Sequence, residues 1–507
     1  MLCIAVTIGA GWLILRPSST RALPPLPLQP LPFIGNLHQL RGNNGVKESL
    51  AWHQRCGPLL TLKPGRRTVI LIGDRDIANA LLSKRGRIYS SRPHLTMALD
   101  VMSKGDHTVF LPYGPKWKAH SRLHVAFIGH RVVKHYRRIQ ELESLKMLQE
   151  LLAGVDAVEA FPRFQTSLIN TLAFGAPVTT MRSTQMREVQ ELSKAFIDAS
   201  ATGSWWVDSF PALRCLPSWL APWKRFGEQI HAKFVRITGT SIAAARNTQS
   251  WNWVKYTDRL KGIGPITDHE LCFVFGSLYQ AGVDIVTLYL QSFLVAWITH
   301  PGPVLIAQRE LDRVVGPARL PSFSDVAKLT YCEAFVKEVL RWRPLASWAM
   351  PHCLTEEDTF MGYRFPKGTM FIANQYAMDM DRETWEDPEC FRPERWLNHP
   401  SRNPASFGFG RRMCPGSHLV MESLSIIIPR MLWALTMKGH ARGERGEEVD
   451  SNLCNFRQEG PVLIPPSFEP EIWIRDEHRQ RVLDLTMEAT EKDVDVLLRR
   501  IGKEFNP

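Results

Sequence analysis

A mainly α-helical α+β fold is predicted for this chain of 507 residues, and three observations predict it. Long helical patterns dominate positions 75 to 350. Strand patterns are concentrated at 58–73 and 359–373, and no internal repeat at solenoid or propeller spacing is present. Strands that are few and separate from the helices indicate small, segregated sheets beside a helical bundle.

Composition and charge exclude several classes of protein. The 62 basic and 50 acidic residues give a net charge of +12, but the bases are dispersed along the chain. This balance suits an acidic partner or an anionic membrane surface and argues against nucleic acid. The nine cysteines form no C-x-x-C pair, which argues against a zinc module or a disulfide framework. Reduced thiols in a cytosol-facing protein are expected.

The first 15 residues, MLCIAVTIGAGWLIL, are uncharged and predict an N-terminal membrane anchor. They are fewer than the roughly 20 residues that a spanning helix needs, so a buried first helix is the alternative. Arg16 and Arg21 favour a cytoplasmic location for the rest of the chain. Residues 16–37, basic and then proline-rich in PPLPLQPLPFIGNL, are expected to form a stiff tether.

The remaining elements follow in chain order. PLLTLKPGRRTVILIG, at 58–73, predicts a β-hairpin around Pro64–Gly65. The segment 207–229, rich in proline and tryptophan, is either an interfacial loop that dips toward lipid headgroups or an ordinary covered loop. The last 33 residues, from Arg475, are charged and helix-prone, and a solvated C-terminal extension is expected there.

Two motifs predict a buried charge network. Glu338 and Arg341 in KEVLRWRP lie at i and i+3, so they share one face of a helix. Arg395, in FRPERW, lies in a turn that follows a proline. A glutamate between two arginines can form bidentate hydrogen bonds that fix a helix to a loop. Such a network is structural and carries out no chemistry itself.

The stretch FGFGRRMCPG, at 407–416, places Cys414 among glycines and arginines. The glycines allow a tight turn and the close approach of a flat, bulky group. Arg411 and Arg412 bring positive charge to a residue that is chemically useful as its thiolate. A glycine-rich turn with a buried structural cysteine is the plainer interpretation of this stretch taken alone.

Taken together, these motifs resemble the cytochrome P450 family. The resemblance rests on the order and spacing of KEVLRWRP, FRPERW and FGFGRRMCPG and covers residues 24 to 474. VDSFPALRCLPSWL and MPHCLTEED are similar to fungal secondary-metabolism members such as the O-methylsterigmatocystin oxidoreductase type. The resemblance implies a helical bundle with small sheets around a buried haem, with residues 38–474 as the catalytic domain and 475–507 as an extension.

The family's haem site implies roles for the residues of FGFGRRMCPG. Cys414 would be the thiolate ligand of haem b, which donates electron density to iron and favours cleavage of the O–O bond. Phe407 would pack against the ligand loop, and Gly410 and Gly416 would let that loop approach the porphyrin. Arg412 would pair with a haem propionate.

Other haem contacts implied by the family lie outside that loop. His352 matches a propionate-binding histidine, and Trp117 matches a tryptophan that the family follows with arginine four residues later. Here the fourth position is Ser121, with Arg122 one step beyond. A shift of one residue turns a side chain by about 100° around a helix. Either Arg122 reaches back, or the arginine is replaced by Lys118 or His120.

The distal helix departs from the family pattern. YQAGVDIVTLYL, at 279–290, keeps Ala281, Gly282 and the acid Asp284, but Ile285 stands where the family has a threonine that helps to deliver protons. A water or a substrate hydroxyl completes the relay, or the enzyme performs chemistry without net oxygen insertion, or the chain is a non-catalytic haem protein. Asp284 itself is either part of the relay or a solvent-linked salt-bridge partner.

The resemblance also implies substrate and partners. Positions that line the family's pocket are here apolar and aromatic, which suits a lipophilic polycyclic or isoprenoid substrate. The principal candidates are Tyr279, Ala281, Gly282, Trp348, Val462 and Leu463, with Met97, Leu99, Val101, Phe275, Ser347 and Ala349 beside them. No G-x-G-x-x-G opens a βαβ unit, so electrons are expected from a separate NADPH-cytochrome P450 reductase. An endoplasmic reticulum location, with the catalytic domain facing the cytosol, is implied.

Overall fold

A computed structural model describes residues 23–40, 45–200, 204–399, 402–440, 455–459, 462–466 and 468–505. The anchor predicted at 1–15 and the start of the tether lie outside these ranges. The long helices are α1 (Gly45–Cys56), α2 (Pro115–Ile128), α3 (Arg137–Leu152), α4 (Ala157–Phe174), α5 (Thr184–Ser200), α6 (Pro222–Asn247), α7 (Asp268–Thr299), α8 (Pro301–Val314), α9 (Thr330–Trp342), α10 (Ser417–Ala434), α11 (Glu477–Ala489) and α12 (Val494–Phe505).

Short helical segments connect the long helices. They are the α-helical turns Leu37–Leu40, Arg75–Ala78, Gly86–Tyr89, Trp206–Ser209, Trp253–Thr257, Gln375–Asp379 and Glu394–Leu397, the 3-10 turns Val133–Tyr136, Pro211–Cys215, Val326–Lys328, Ala405–Phe407 and Gly410–Arg412, and the π-helical turns Asn79–Lys84 and Thr96–Met102. In the segment 207–229, Trp206–Ser209 and Pro211–Cys215 precede α6.

The strands form small sheets that are set apart from the bundle. They are β1 (Leu59–Leu62), β2 (Val69–Ile72), β3 (His352–Cys353), β4 (Asp358–Phe360), β5 (Tyr363–Phe365), β6 (Met370–Ala373), β7 (Leu435–His440), β8 (Arg457–Glu459), β9 (Val462–Ile464) and β10 (Glu469–Ile474). The largest sheet has the order β1-β2-β6-β3, and the others are two-stranded. β1 and β2 pair antiparallel, so the predicted hairpin is confirmed. The predicted fold class is confirmed too.

Helix α7 is the centre of the bundle. It begins with a capping box, because the Thr267 side chain accepts from the Glu270 N–H while Glu270 reaches back to the Thr267 N–H. It ends at Thr299 with His300 as its C-cap residue, and Pro301 starts the next helix. Of the described residues, only α7 has the length and apolar composition to cross a membrane, and most of it is buried against other helices, as expected of a core helix.

The described part of the tether packs on the first sheet. The carbonyls of Pro24 and Pro25 accept hydrogen bonds from the Thr61 hydroxyl and backbone N–H, each at 2.8 Å. Gly35 has a φ of +58°, and a Cβ placed there would lie 1.6 Å from the Lys63 carbonyl oxygen. Only glycine fits this close approach. Residues 24–37 therefore belong to the folded body and do not form a free spacer.

The C-terminal helices also pack on the body, and the expectation of a solvated extension is wrong. Leu497, Leu498 and Ile501 of α12 are buried. The ring of Phe505 lies 4.7 Å from that of Trp251 and stacks on Tyr136 at 6.3 Å between ring centroids. These aromatic contacts join residues about 250 and 370 positions apart in the chain, and they fix α12 against the bundle.

Replacing Leu498 with alanine should destabilise the whole domain. Leu498 is fully buried, so its removal should lower the free energy of unfolding by about 2–5 kcal/mol. The matched control, Lys503→Ala, lies on the exposed side of α12 and should change it by less than about 0.5 kcal/mol. Urea unfolding followed by circular dichroism measures both. Equal midpoints for the two variants would show that α12 is not docked.

Candidate active site

The loop that carries Cys414 is held by its own backbone and by a neighbouring turn. The Cys414 N–H donates to the Phe407 carbonyl at 2.8 Å, and the chain then enters α10 at Ser417. Gly410 has a φ of +62°, and a Cβ there would lie 2.2 Å from the carbonyl oxygen of Leu82. Glycine is therefore required at position 410 by close backbone packing. A Cβ at Gly416 would only reach ordinary contact with the Cys414 sulfur, at 3.9 Å.

The surroundings of Cys414 have opposite effects on the ionisation of its thiol. Burial raises the pKa of the Cys414 thiol, whereas the backbone N–H groups of Gly416 and Ser417 lower it. The sulfur also precedes the N-terminus of α10, where the helix dipole favours negative charge. A thiolate at this position is therefore favoured when a metal cation compensates its burial.

A cluster of basic side chains lies near this loop. Arg412 donates to the carbonyls of Ser90 at 2.7 Å and Leu111 at 2.6 Å, and its guanidinium lies 4.2 Å from the centre of the Trp117 ring. Arg92 donates to the carbonyls of Met350 and Pro351, both at 2.7 Å. Burial lowers the pKa of Arg412 to about 8 and that of Arg92 to about 10. Burial lowers the pKa of His352 to about 3, and the charges of Arg92 and Arg412 contribute to the lowering.

This cluster fits the carboxylates of a haem. Neither Arg92 nor Arg412 forms an ion pair with any of the described residues, so two half-buried cations are held by neutral carbonyls and, for Arg412, by the Trp117 ring. Charges that are partly withdrawn from water are stabilised by a counter-ion, and two propionates would supply it. The donor set therefore fits the cofactor. Sequence reasoning missed Arg92, since a single arginine in SSRPH carries no periodic or motif signal.

The three candidates for the missing helix arginine lie elsewhere. Arg122 is exposed and donates to the Ile263 carbonyl at 3.4 Å. Lys118 is exposed, with its ammonium 5.2 Å from the centre of the Tyr113 ring. His120 is buried and forms a hydrogen bond with Thr108 at 2.9 Å. The structure brings Arg92, and none of these three, to electrostatic contact with Arg412.

The centre of α7 directs its polar groups away from Ile285. The Ser193 hydroxyl of α5 donates to Asp284 at 3.2 Å, and burial raises the pKa of that carboxyl. The Thr287 hydroxyl donates to the Val283 carbonyl of its own helix at 2.8 Å. Ala281 is exposed in this otherwise covered stretch. Asp284 thus has a hydroxyl partner, and within the described chain it forms no salt bridge.

The predicted substrate residues are not all brought together. Gly282 faces α4, because a Cβ there would lie 3.4 Å from Ile169. The Tyr279 hydroxyl lies 3.5 Å from that of Thr166, and burial raises its pKa to about 12. The Trp348 indole donates to Ser49 of α1 at 3.4 Å and packs in the core beneath the first sheet.

The last two predicted substrate residues, Val462 and Leu463, lie on strand β9, apart from the others. Val462 is half-buried at the start of β9, and the N–H of the buried Leu463 donates to the Leu345 carbonyl at 2.9 Å. They therefore lie near the segment that follows α9, whereas Trp348 points from that segment toward α1.

The charge network has the geometry that the motifs predicted. Glu338 accepts two hydrogen bonds from Arg341, at 2.7 and 2.8 Å, and one from Arg395 at 3.0 Å. The Trp396 indole donates to the same carboxylate at 2.8 Å. Arg341 continues to the carbonyls of Asp379 and Pro388. Because Glu338 and Arg341 are fully buried, every charge in this network depends on its partners.

Comparison with known proteins gives consistent results. The family model for Cytochrome P450 matches residues 24–450. The chain is 39% identical over 505 residues to cytochrome P450 monooxygenase aneD of Aspergillus aculeatus, covering 99% of this chain and 98% of that protein. It is 41% identical over 483 residues to cytochrome P450 monooxygenase drtD of Aspergillus calidoustus, covering 95% and 91%.

One solved structure shows the likeness in fold. A zebrafish cytochrome P450 determined with abiraterone superposes with a TM-score of 0.68 at 22% identity, covering 85% of this chain and all of that one.

Removing the charge of Glu338 should collapse the network. Glu338→Gln leaves two buried arginines without a counter-charge, which should cost about 3–5 kcal/mol in the free energy of unfolding. The matched control is Glu333→Gln on the same helix, whose ion pair with Lys337 is partly exposed and should be worth less than about 1 kcal/mol. Thermal unfolding and soluble yield measure both. Equal unfolding temperatures and yields for the two variants would show that the network does not stabilise the fold.

Proposed function

The chain belongs to the cytochrome P450 family and is a haem-thiolate monooxygenase, and on that premise we propose that it oxidises a lipophilic small molecule in fungal secondary metabolism. Two cytochrome P450 monooxygenases of Aspergillus species are similar to this chain over nearly its full length. The observation that carries the proposal is the Cys414 loop, which ends at a helix N-terminus beside two half-buried cations that have no ion-pair partner in the part of the chain that the structure describes.

Haem b, when bound, supplies the reductive activation of O2 that puts one oxygen atom into substrate and one into water. Cys414 would hold the iron and donate electron density to it. Arg92, Arg412 and His352 would fix the propionates, and Trp117 would support Arg412 from below. We propose Arg92 as the functional replacement for the arginine that Ser121 displaces. Phe407 would fix the position of Cys414 through its carbonyl.

On the distal side, proton delivery would bypass position 285. Ile285 has no hydrogen-bonding group, and Asp284 is engaged with Ser193. A water or a substrate hydroxyl would therefore complete the delivery beside Ala281, the exposed residue of this stretch. The monooxygenase relatives favour oxygen insertion over the alternatives of desaturation, rearrangement or a non-catalytic role.

Electrons would come from an NADPH-cytochrome P450 reductase. Exposed basic side chains surround the ligand loop and the nearby ends of α2 and α3; they are Lys118, Arg122, Arg131, Lys134, Arg138 and Arg411. Such a basic face suits an acidic flavoprotein surface, which steers association and orients the partner.

A membrane-facing surface is also proposed. Trp219 and Phe33 are 75% and 76% exposed, and Trp206 and Leu220 lie about half-exposed in the same connection before α6. A Cβ at Gly65 would contact Ser209 at 3.5 Å, which places this connection against the first hairpin and the tether. Exposed aromatic side chains favour the headgroup region. With the expected anchor at 1–15, this face would rest on the cytosolic surface of the endoplasmic reticulum.

Cys414→Ser should abolish the reaction. The variant should lose the red-shifted carbon monoxide difference band of thiolate-ligated haem, while Cys390→Ser, at an exposed cysteine, should keep it. In the producing cell, accurate mass should show that the compound accumulating with Cys414→Ser lacks oxygen relative to the lost product. A pair of isomers, or of compounds that differ by two hydrogens, would instead support chemistry without oxygen insertion.

Ile285→Thr should not improve the reaction. A hydroxyl that joined proton transfer would be worth about a hundredfold in rate. Because the proposed route bypasses position 285, Ile285→Thr and its isosteric control Ile285→Val should give the same product in similar yield. Product quantified by mass spectrometry in the producing cell tests this. A much higher yield from the threonine variant alone would place proton delivery at position 285.

A further inference from the structure

Three consecutive residues fix the loop before α2 to three different places. Asp106 pairs with Lys116 and His269 near the surface. His107 Nε2 lies 3.5 Å from the side-chain oxygen of Gln280 on α7. Thr108 forms a hydrogen bond with Nδ1 of His120 on α2. The other ring nitrogen of His120, Nε2, lies 3.9 Å from the Glu270 carboxylate. Asp106 thus meets the first turn of α7, whereas His107 is the member of this trio that reaches the middle of α7, at Gln280.

The His107 imidazole is held in an aromatic cage. Phe196 of α5 stacks on it at 4.9 Å between ring centroids, Phe110 lies at 4.9 Å, and Phe273 of α7 meets it edge-on at 6.3 Å. The residue is only 4% exposed. A ring fixed by three neighbours presents its nitrogen atoms in defined directions, which is what a recognition site requires.

Two buried polar atoms of the His107–Gln280 pair form no hydrogen bond with the described residues. Neither His107 Nδ1 nor Gln280 Nε2 has a hydrogen-bond partner among the described residues, although both atoms are inaccessible to solvent. An unpaired buried polar atom costs about 1–3 kcal/mol. The single contact between the two side chains is itself long, at 3.5 Å, so it satisfies them poorly.

Both orientations of the Gln280 amide require the same complement. If His107 Nε2–H donates to the amide oxygen, an imidazole acceptor and an amide donor stay free. If the amide is turned and its nitrogen donates to His107, an imidazole donor and an amide acceptor stay free. In each case the missing partner must both donate and accept. An ether, a carboxylate or an ammonium group meets only half of that requirement.

We propose that His107 and Gln280 form a polar subsite that binds a hydroxyl or carboxamide group of the substrate. This rests on the proposed function, since it names the part of a lipophilic substrate that the pocket recognises. Gln280 also lines the cavity between α4, α5, α6 and α7, together with Leu192, Phe234 and Tyr279. It directly precedes the exposed Ala281. A group held at Gln280 would therefore anchor a substrate whose remainder lies among apolar side chains.

The charge around the subsite favours a neutral group. Burial lowers the pKa of His107 to about 4 and that of the neighbouring His124 to about 3, so both imidazoles are uncharged near neutral pH. The charged neighbours, Lys116, Asp106 and Glu270, pair with one another on the far side of His120. Their two carboxylates outnumber the one ammonium, so the net charge beyond His120 disfavours an anionic ligand at the subsite, whereas an ammonium ligand lacks the acceptor that the pair requires.

The test uses probes that bind any accessible haem iron through an imidazole. Phenylimidazole, its ortho-, meta- and para-hydroxyl derivatives and the matching methoxy derivatives are titrated against the full-length holoprotein, with affinity read from the difference spectrum of nitrogen ligation. We expect at least one hydroxyl derivative to bind about tenfold more tightly than phenylimidazole, the size of one good buried hydrogen bond. The methoxy derivatives, which only accept, should show no such gain.

Two variants then test whether His107 and Gln280 cause the higher affinity of the hydroxyl derivative. Gln280→Leu and His107→Phe should each abolish the tenfold gain, so that the hydroxyl derivative binds no more tightly than phenylimidazole to the same variant. Gln190→Leu, the same substitution at an exposed site on α5, is the matched control and should keep it. A change in affinity that is equal for all probes would reduce the pair to a structural contact and overturn the proposal.

Two outcomes separate the failure of the subsite from that of the function. If no hydroxyl derivative gains over phenylimidazole in the unmodified protein, the subsite is refuted whether or not the variants fold. If the protein shows neither the thiolate-type carbon monoxide spectrum nor any nitrogen-ligation spectrum with phenylimidazole, the haem-thiolate function itself is refuted.

Discussion

The rest of the site depends on one buried carboxylate, that of Glu338. It holds Arg341 of its own helix, and it holds Arg395 and Trp396 from the segment that leads to the ligand loop. Ten residues after Trp396 the Ser406 hydroxyl donates to the Leu340 carbonyl of α9, and the next residue, Phe407, accepts from the Cys414 N–H. The Cys414 loop is thus bound to α9, the helix that carries the buried Glu338–Arg341 pair.

The two clusters of arginines differ in the groups that compensate their charge. Around Glu338 the cations have a carboxylate and several carbonyls, so the network is satisfied and serves as structure. Arg92 and Arg412 have carbonyls only, and burial lowers the pKa of both. A charge that costs free energy in the protein alone is typical of a place where a ligand supplies the counter-charge. The same residue type is therefore structural in one cluster and, as we propose, cofactor-binding in the other.

Local patterns in the sequence were enough for the helices, the first hairpin and the Glu338 network, because each depends on residues close in sequence or on a specific motif. Arg92 could not be predicted, since its partners are carbonyls 258 and 259 positions away. The docking of α12 depends likewise on distant aromatic residues such as Trp251. Trp348 was predicted to border the pocket, but the side to which a residue of an extended segment points depends on register, which sequence leaves open.

The middle of α7 offers a polar side chain for binding substrate but no proton donor at position 285. From 277 to 287 its hydroxyl and carboxyl groups are engaged: Ser277 and Thr287 with carbonyls of their own helix, Tyr279 near Thr166, and Asp284 with Ser193. Gln280 retains a buried polar atom without a partner among the described residues, and it lies one residue before Ala281 and five before Ile285. Within the proposed function, such a helix orients the substrate through Gln280 while Ala281 and Ile285 keep the adjoining surface apolar. Because Ile285 has no hydrogen-bonding group and Asp284 is bonded to Ser193, we propose that proton delivery uses a hydroxyl carried by the substrate or a water admitted with it.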